Sequence, residues 1–112
     1  MNTYTEGRPW GGFKQFTLNE KSTVKILTIK SGQAFSLQYH KNRKEFWHVL
    51  EGSCIVTVGN KDIKAIKGDE FTIEEGTHHR IEATEDTSVL EVAFGDFNES
   101  DIVRLEDKYG RK

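Results

Sequence analysis

Apolar and polar residues alternate along most of this chain, a pattern typical of β-strands that bury one face. The alternating segments are rich in β-branched and aromatic residues, which strands favour. They cover residues 23–30, 45–52, 53–59, 61–67 and 88–95. Turns that contain glycine separate them at intervals of mostly about 8–12 residues, as in sandwiches and barrels. The pattern predicts an antiparallel β-barrel or jelly roll, with strands near 23–30, 45–51, 53–58 and 88–94.

One segment departs from the alternation. Residues 98–110, NESDIVRLEDKYG, have the composition of a helix that Asn98 or Ser100 would cap. No helical pattern of ten or more residues lies between the predicted strands, which argues against an α/β fold. We therefore expect an all-β protein with a single domain over residues 1–112.

Composition narrows the classes of partner. The chain has 112 residues, enough for one core, and a net charge of −2, which gives no reason to expect nucleic acid or an anionic membrane as a partner. Its single cysteine, Cys54, excludes an internal disulfide framework and favours the cytoplasm. The start, MNTYTEGRPW, has no apolar run, and no stretch approaches the ~20 apolar residues of a membrane helix. The sequence predicts neither a secretion signal nor a membrane span.

Potential metal ligands lie between two of the predicted strands. Gln38 and His40 share one strand face because side chains alternate, and the turn KNRK then leads to Glu45 at the start of the next strand. His78 and His79 follow later, after a turn. This set of nitrogen and oxygen donors suits zinc, iron, manganese, cobalt or nickel, and differs from the thiolate set of structural zinc sites. The alternative is that these residues are solvated side chains at strand ends.

The glycine spacing favours the metal site. Residues 32–52 follow Gly-x5-Gln-x-His-x4-Glu-x6-Gly, and residues 68–79 follow Gly-x5-Glu-x-Gly-x2-His. Together they resemble the two motifs of the cupins, the first over about 32–52 and the second over about 68–83. That resemblance implies a cupin-type antiparallel β-barrel, or jelly roll, with a metal ion inside it.

Four segments resemble a narrower family. RPWGGF (8–13), VKILTIKSGQAFSLQYHKNRKEFWHVLEGS (24–53), GTHHRIE (76–82) and DIVRLEDKYGR (101–111) together are similar to the cupin domain of type II phosphomannose isomerases. In that family the domain usually follows a nucleotidyltransferase domain; no glycine-rich nucleotide motif is present here, so we expect a free-standing cupin. The resemblance implies interconversion of mannose 6-phosphate and fructose 6-phosphate with a divalent metal. Zinc is the expected ion, with manganese, cobalt, nickel or iron as alternatives.

The resemblance also implies roles for individual residues. Four positions match the family's metal ligands: Gln38, His40, Glu45 and His79. Arg43, between two of these ligands, matches the family's loop arginine and is the first candidate for the catalytic group that meets the phosphate. Arg111 is a substrate-binding candidate on the same grounds.

The chemistry of the implied reaction suggests further candidates. Aldose–ketose isomerisation moves a proton between C2 and C1 through an enediol, so the site needs a base and cations for the phosphate. His78 is the nearest free imidazole and the candidate base; the alternative is that it only fixes a turn. The other phosphate-binding candidates are Lys25, Arg8 and Arg80. Trp47 faces the predicted ligands and is a candidate wall for the sugar, although core packing is favoured for it and for Trp10.

The sequence also supports an expectation about the oligomeric state and leaves two alternative functions to consider. Phe46, His48 and Leu50 lie on the other face of their strand, and burial of large apolar side chains stabilises by roughly 1.5–3 kcal/mol each, so we expect a homodimer.

A non-catalytic cupin that binds a sugar or sugar phosphate would share every binding residue with the isomerase. An oxygenase is disfavoured by Gln38, since the iron of such enzymes usually has several histidine ligands, and fold alone does not decide function.

Overall fold

The computed structural model describes residues 3–106, and all regular elements within them are strands. In chain order these are β1 (Tyr4–Arg8), β2 (Gly11–Gln15), β3 (Ser22–Ile29), β4 (Leu37–Tyr39), β5 (Glu45–Glu51), β6 (Ser53–Val58), β7 (Lys61–Ile66), β8 (Glu70–Ile73), β9 (His79–Ala83), β10 (Thr87–Phe94) and β11 (Val103–Glu106). The described part of the chain contains no helix that could cross a membrane.

The strands form two main antiparallel sheets around one core. One sheet has the order β3-β10-β5-β8 and the other β11-β4-β9-β6-β7, while β1 and β2 form a separate hairpin. Side chains from both sheets make the core, among them Trp47 and Val89 from the first and Val56 and Ile81 from the second. The all-β antiparallel fold is therefore confirmed. Each of the four strands whose bounds were predicted begins and ends within one residue of the predicted positions.

The predicted helix at 98–110 is wrong over the residues that the structure describes. Val103–Glu106 is a strand, and it pairs with β4 at the edge of the five-stranded sheet. The Asn98 side chain accepts a hydrogen bond from the backbone of Ser100, but a turn follows it. A short helix without a packing partner is marginal in water, whereas a strand here gives the backbone N–H and C=O groups at the edge of β4 their hydrogen-bond partners.

The face of β5 that suggested a dimer is covered by the chain itself. Phe16 packs against Phe46, with ring centroids 5.9 Å apart, and its edge meets His48 at 5.6 Å. Phe46 is consequently only 4% exposed. The expected burial of Trp10 is also wrong: it lies at the hairpin turn and is 73% exposed, whereas Trp47 is in the core as expected.

The turn between β5 and β6 depends on glycine. Gly52 has φ +90°, a conformation that side chains disfavour, and a Cβ there would lie 2.2 Å from the carbonyl oxygen of Asp86. Thr87, beside it, donates its hydroxyl to the carbonyl oxygen of Ser53 at 3.0 Å. The close approach of these backbones joins the end of β5 to the start of β10.

Candidate metal centre

Strand pairing brings three potential ligands together inside the barrel. Glu45 begins β5 in the first sheet, His79 begins β9 in the second, and His40 directly follows β4, whose Gln38 is paired with His79. One ligand atom of each of His40, Glu45 and His79 lies within 4.8 Å of the others. All three side chains are buried. Residues that are 39 positions apart in sequence thus converge on one point.

Backbone carbonyl groups orient both imidazoles. His40 Nδ1 donates to the carbonyl oxygen of Asp101 at 2.5 Å, and His79 Nδ1 donates to that of Thr77 at 2.8 Å. The lone pair of each ring is therefore on Nε2, the atom that lies 3.8 Å (His40) or 3.7 Å (His79) from a Glu45 oxygen. Such second hydrogen bonds commonly set the tautomer of metal-binding histidines.

Four buried polar atoms at the centre have no hydrogen-bond partner among the described residues. Two belong to the potential ligands, Glu45 Oε1 and His79 Nε2, which lie 3.7 Å apart, and the other two are Nε and Nη1 of Arg43. Unpaired buried polar atoms cost free energy, and a carboxyl oxygen 3.7 Å from an imidazole lone pair suits a cation bound between them. A divalent ion fits this donor set of two imidazoles and a carboxylate, which leaves positions for water or substrate.

Burial dominates the electrostatics of the centre. It raises the pKa of Glu45 to about 8, with the nearby Glu91 carboxylate adding to the effect and Arg43 opposing it. Burial also lowers the pKa of His79 to about 4 and lowers the pKa of His40. Around neutral pH both histidines are therefore neutral, as metal ligands must be.

Asp101 is a residue of this centre that the sequence did not single out. Besides accepting from His40 through its backbone, it accepts through its carboxylate from the backbone N–H groups of Lys41 and Asn42, both at 2.9 Å. It therefore fixes the turn that connects His40 to Arg43. Asp101 begins DIVRLEDKYGR, one of the four segments that resemble the family, and that position could have indicated its importance.

Arg43 extends from this turn into the centre. Its Nη2 lies against the His40 ring, 2.7 Å from Nε2 and 2.9 Å from Nδ1, and its Nε lies 3.1 Å from Glu45 Oε2. The guanidinium also lies over the ring of Phe97, 4.5 Å from the centroid, and the ammonium of Lys25 lies 4.1 Å from the same centroid. Two cations thus contact one aromatic ring.

These groups line a cavity of about 200 Å³ that opens beside the ligands. Gln38, the other predicted ligand, lines this cavity, and its side-chain oxygen accepts a hydrogen bond from Ser36 at 2.7 Å. Lys25, Arg43 and Glu45 also line it. So does Glu91, another side chain that the sequence analysis missed; its place between inward-facing Val89 and Ala93 on β10 was the available signal. Burial raises the pKa of Glu91.

The remaining candidates among the described residues lie outside this cavity. His78 is exposed and stacks on Tyr39 at 5.3 Å, and Arg80 pairs with Glu106 at 3.4 Å. Arg8 pairs with Glu6 on the projecting hairpin, and Arg111 lies outside the described residues. Trp47 meets His79 edge-on at 5.4 Å, but it is only 1% exposed and is core rather than cavity wall.

Two antiparallel sheets around a histidine–carboxylate cluster define a cupin, the double-stranded β-helix class. A solved double-stranded β-helix protein from Klebsiella pneumoniae has the same fold, with a TM-score of 0.67 and 19% identity over 82% of this chain and 80% of that chain. Residues 2–107 match the family described as Mannose-6-phosphate isomerase C-terminal, and the chain belongs to that family.

Relatives of known name carry this domain within longer chains. The xanthan biosynthesis protein XanB of Xanthomonas campestris pv. campestris is 36% identical over 107 residues, which cover 93% of this chain and 23% of the relative. A mannose-1-phosphate guanylyltransferase of Klebsiella pneumoniae gives the same identity and coverage. The chain therefore spans less than a quarter of the length of either relative.

Proposed function

We propose that this protein is a metal-dependent aldose–ketose isomerase that interconverts mannose 6-phosphate and fructose 6-phosphate. The observation that carries the proposal is the buried cluster of His40, Glu45 and His79 beside a cavity with two cations at its wall. Membership of the isomerase family supports the same substrate. The lone, buried Cys54 supports a cytoplasmic location.

The centre is suited to hold a divalent ion through His40, Glu45 and His79, with Gln38 beside them. Zinc is the ion we propose first, because two imidazoles and a carboxylate form a common catalytic zinc set. Such an ion supplies a Lewis acid that polarises a sugar carbonyl. The protein's part is to hold the sugar's C1–C2 end in the cavity and to exclude bulk water from it.

Lys25 and Arg43 are the groups that we assign to the phosphate. Both line the cavity, and both lie against the ring of Phe97, within 4.5 Å of its centroid. Arg43 is buried, so an anion beside it would form a hydrogen bond that little water screens. Lys25 is paired with the exposed Glu99 at 3.1 Å, a weak partner that a phosphate could replace.

The test is a coupled assay for fructose 6-phosphate made from mannose 6-phosphate by protein reconstituted with single divalent metals. We expect turnover with at least one of them. Arg43→Ala should keep its metal and lose turnover, while Lys64→Ala, an exposed cation on β7, should match the wild type. Wild-type protein that holds metal and binds mannose 6-phosphate without converting it would replace the isomerase with a sugar-phosphate-binding cupin.

Metal binding should release about one proton per site at pH 7. With a pKa of about 8, Glu45 is mostly protonated in the metal-free protein at that pH, whereas His79, with a pKa of about 4, is not. Affinity should therefore rise about tenfold per pH unit up to about pH 8 and level off above it. Calorimetric titrations in buffers of different ionisation enthalpy measure the release. A release near two protons that falls off around pH 6.5 would contradict it.

We also propose a homodimer, through a different surface from the covered face of β5. Strand β3 lies at the edge of its sheet, where Val24 is 57% and Ile26 is 63% exposed. Exposed apolar side chains on an edge strand favour pairing with a second chain. We expect a dimer by light scattering at micromolar concentration and a monomer for Ile26→Lys. Thr28→Lys, on the same face, controls for added charge at the end of the strand, and an unchanged mass for Ile26→Lys would exclude this surface.

A further inference from the structure

Glu91 is a buried carboxyl group that the proposed metal site and phosphate contacts leave without a role. It is 9% exposed, and no cation among residues 3–106 lies within salt-bridge distance of it. Glutamate is rarely buried so deeply without a paired charge. Its Oε2 accepts a hydrogen bond from Trp47 Nε1 at 3.3 Å. Such a group is costly to keep for packing alone.

The register of three neighbouring strands aims Glu91 at the sugar cavity. On β10 it is opposite Lys25 of β3 and Trp47 of β5, and directly opposite residues of a sheet project from the same face. Glu45 is the diagonal neighbour of Glu91, about 7–8 Å away at the backbone, within reach of long side chains. Glu91 and Glu45 both line the cavity. A sugar bound there lies between the metal ligands and this second carboxyl group.

The other candidates for proton transfer are placed less well. Glu45 belongs to the ligand cluster, and His78 is exposed and stacked on Tyr39 rather than lining the cavity. Glu99 lines the cavity mouth but is exposed and paired with Lys25. Glu91 is thus the buried carboxyl group of the cavity that remains available for acid–base chemistry.

We propose, on the basis of the isomerase function above, that Glu91 carries the proton between C2 and C1 of the sugar. Its carboxylate takes the C2 proton of the open-chain aldose; the electron pair of that bond forms the C1=C2 double bond, and the π pair of C1=O moves to O1. The proton of the O2 hydroxyl passes to O1. The Glu91 carboxylic acid then returns its proton to C1, as the C1=C2 π pair forms the new C–H bond and an O2 electron pair forms the C2 carbonyl. O1 gains one proton and O2 loses one, so no co-reactant is consumed.

Trp47 positions this carboxyl group. Its indole N–H donates to one oxygen of Glu91, so the other oxygen is directed by a rigid, fully packed ring. A base held by a core side chain keeps its geometry as the substrate enters and leaves. The same ring meets His79 edge-on, which places the proposed base and one ligand against a single aromatic side chain.

The test compares Glu91→Gln and Glu91→Asp with Glu82→Gln, which makes the same charge change at an exposed site on β9. Metal content and affinity for a hexitol 6-phosphate, which lacks the carbonyl, are measured beside turnover. We expect Glu91→Gln to keep both within about threefold and to lose turnover by about 100-fold or more. Glu91→Asp should retain intermediate turnover, and Glu82→Gln should match the wild type.

Exchange with solvent gives an independent measurement on the wild-type protein. In D₂O, fructose 6-phosphate cycled through many turnovers should gain deuterium at C1, because a carboxylic acid shielded from bulk water still exchanges its proton in a fraction of the turnovers. Product free of deuterium after many turnovers, or Glu91→Gln with wild-type turnover, would overturn the role of Glu91 and leave the isomerase proposal standing. A Glu91→Gln variant that no longer binds the metal or the hexitol 6-phosphate would likewise overturn the role of Glu91. A wild type without any turnover would instead overturn the proposed function, and the role of Glu91 with it.

Discussion

His79→Ala is expected to abolish metal binding and isomerase turnover together. Its Nε2 is a buried atom without a hydrogen-bond partner among the described residues, so its removal deletes a ligand that no other described side chain replaces. Loss of an outer hydrogen-bond partner alone typically lowers metal affinity by about 10–100-fold, and loss of a ligand should exceed that. Titration with zinc or cobalt, followed by metal analysis after gel filtration, measures the effect.

The neighbouring histidine provides the matched control. His78→Ala makes the same substitution one residue earlier, at an exposed ring stacked on Tyr39, and should keep the metal affinity of the wild type. Circular dichroism should give a β-sheet spectrum for both variants, because neither ring belongs to the apolar core, although His79→Ala also removes an edge contact with Trp47 and should lower the melting temperature. Equal metal affinity of His79→Ala and His78→Ala would remove His79 from the ligand set.

Gly52→Ala should be among the most destabilising single substitutions outside the core. The new methyl group would meet the Asp86 carbonyl oxygen at 2.2 Å and would also impose a positive φ on alanine. Backbone strain of that kind costs about 1–3 kcal/mol, and the clash must add to it because both sides are backbone. We expect the melting temperature to fall by roughly 10 °C or more.

Gly59→Ala separates strain from collision. Gly59 also has a positive φ, of +63°, but a Cβ there meets nothing within 4 Å. Its substitution should therefore cost only the strain, and the melting temperature should fall by less than half as much as for Gly52→Ala. Similar losses for the two variants would show that the contact with Asp86 relaxes without cost.

The fold was predictable because its signal is local. Alternation defines each strand, and the glycine turns define where it ends, so β5 and β6 were predicted with their observed bounds. Residues 101–106 were mistaken for part of a helix because a short segment of mixed polar and apolar residues satisfies either period. Its pairing with β4, more than 60 residues earlier, decides the outcome, and no local pattern contains that information.

The residues of the candidate site also differ in how far local sequence could predict them. His40, Glu45 and His79 carry recognisable spacings, and the structure brings them together. Glu91 and Asp101 have no motif of their own, because each acquires its surroundings from strands far away in the chain. The face of β5 that contains Phe46 was expected to contact a second chain, but Phe16 of the same chain packs on it. Nothing in the local sequence around Phe16 predicted that contact.

Glu45 belongs to the four-stranded sheet, whereas His79 and the His40 turn belong to the five-stranded sheet. An ion bound by all three would tie the two sheets together at one edge of the core. Since the unfolded chain holds these side chains apart, occupancy and folding become thermodynamically linked. Each tenfold excess of free metal over its dissociation constant would then add about 1.4 kcal/mol to the free energy of unfolding. Metal supply would thereby set the lifetime of the folded protein as well as its activity.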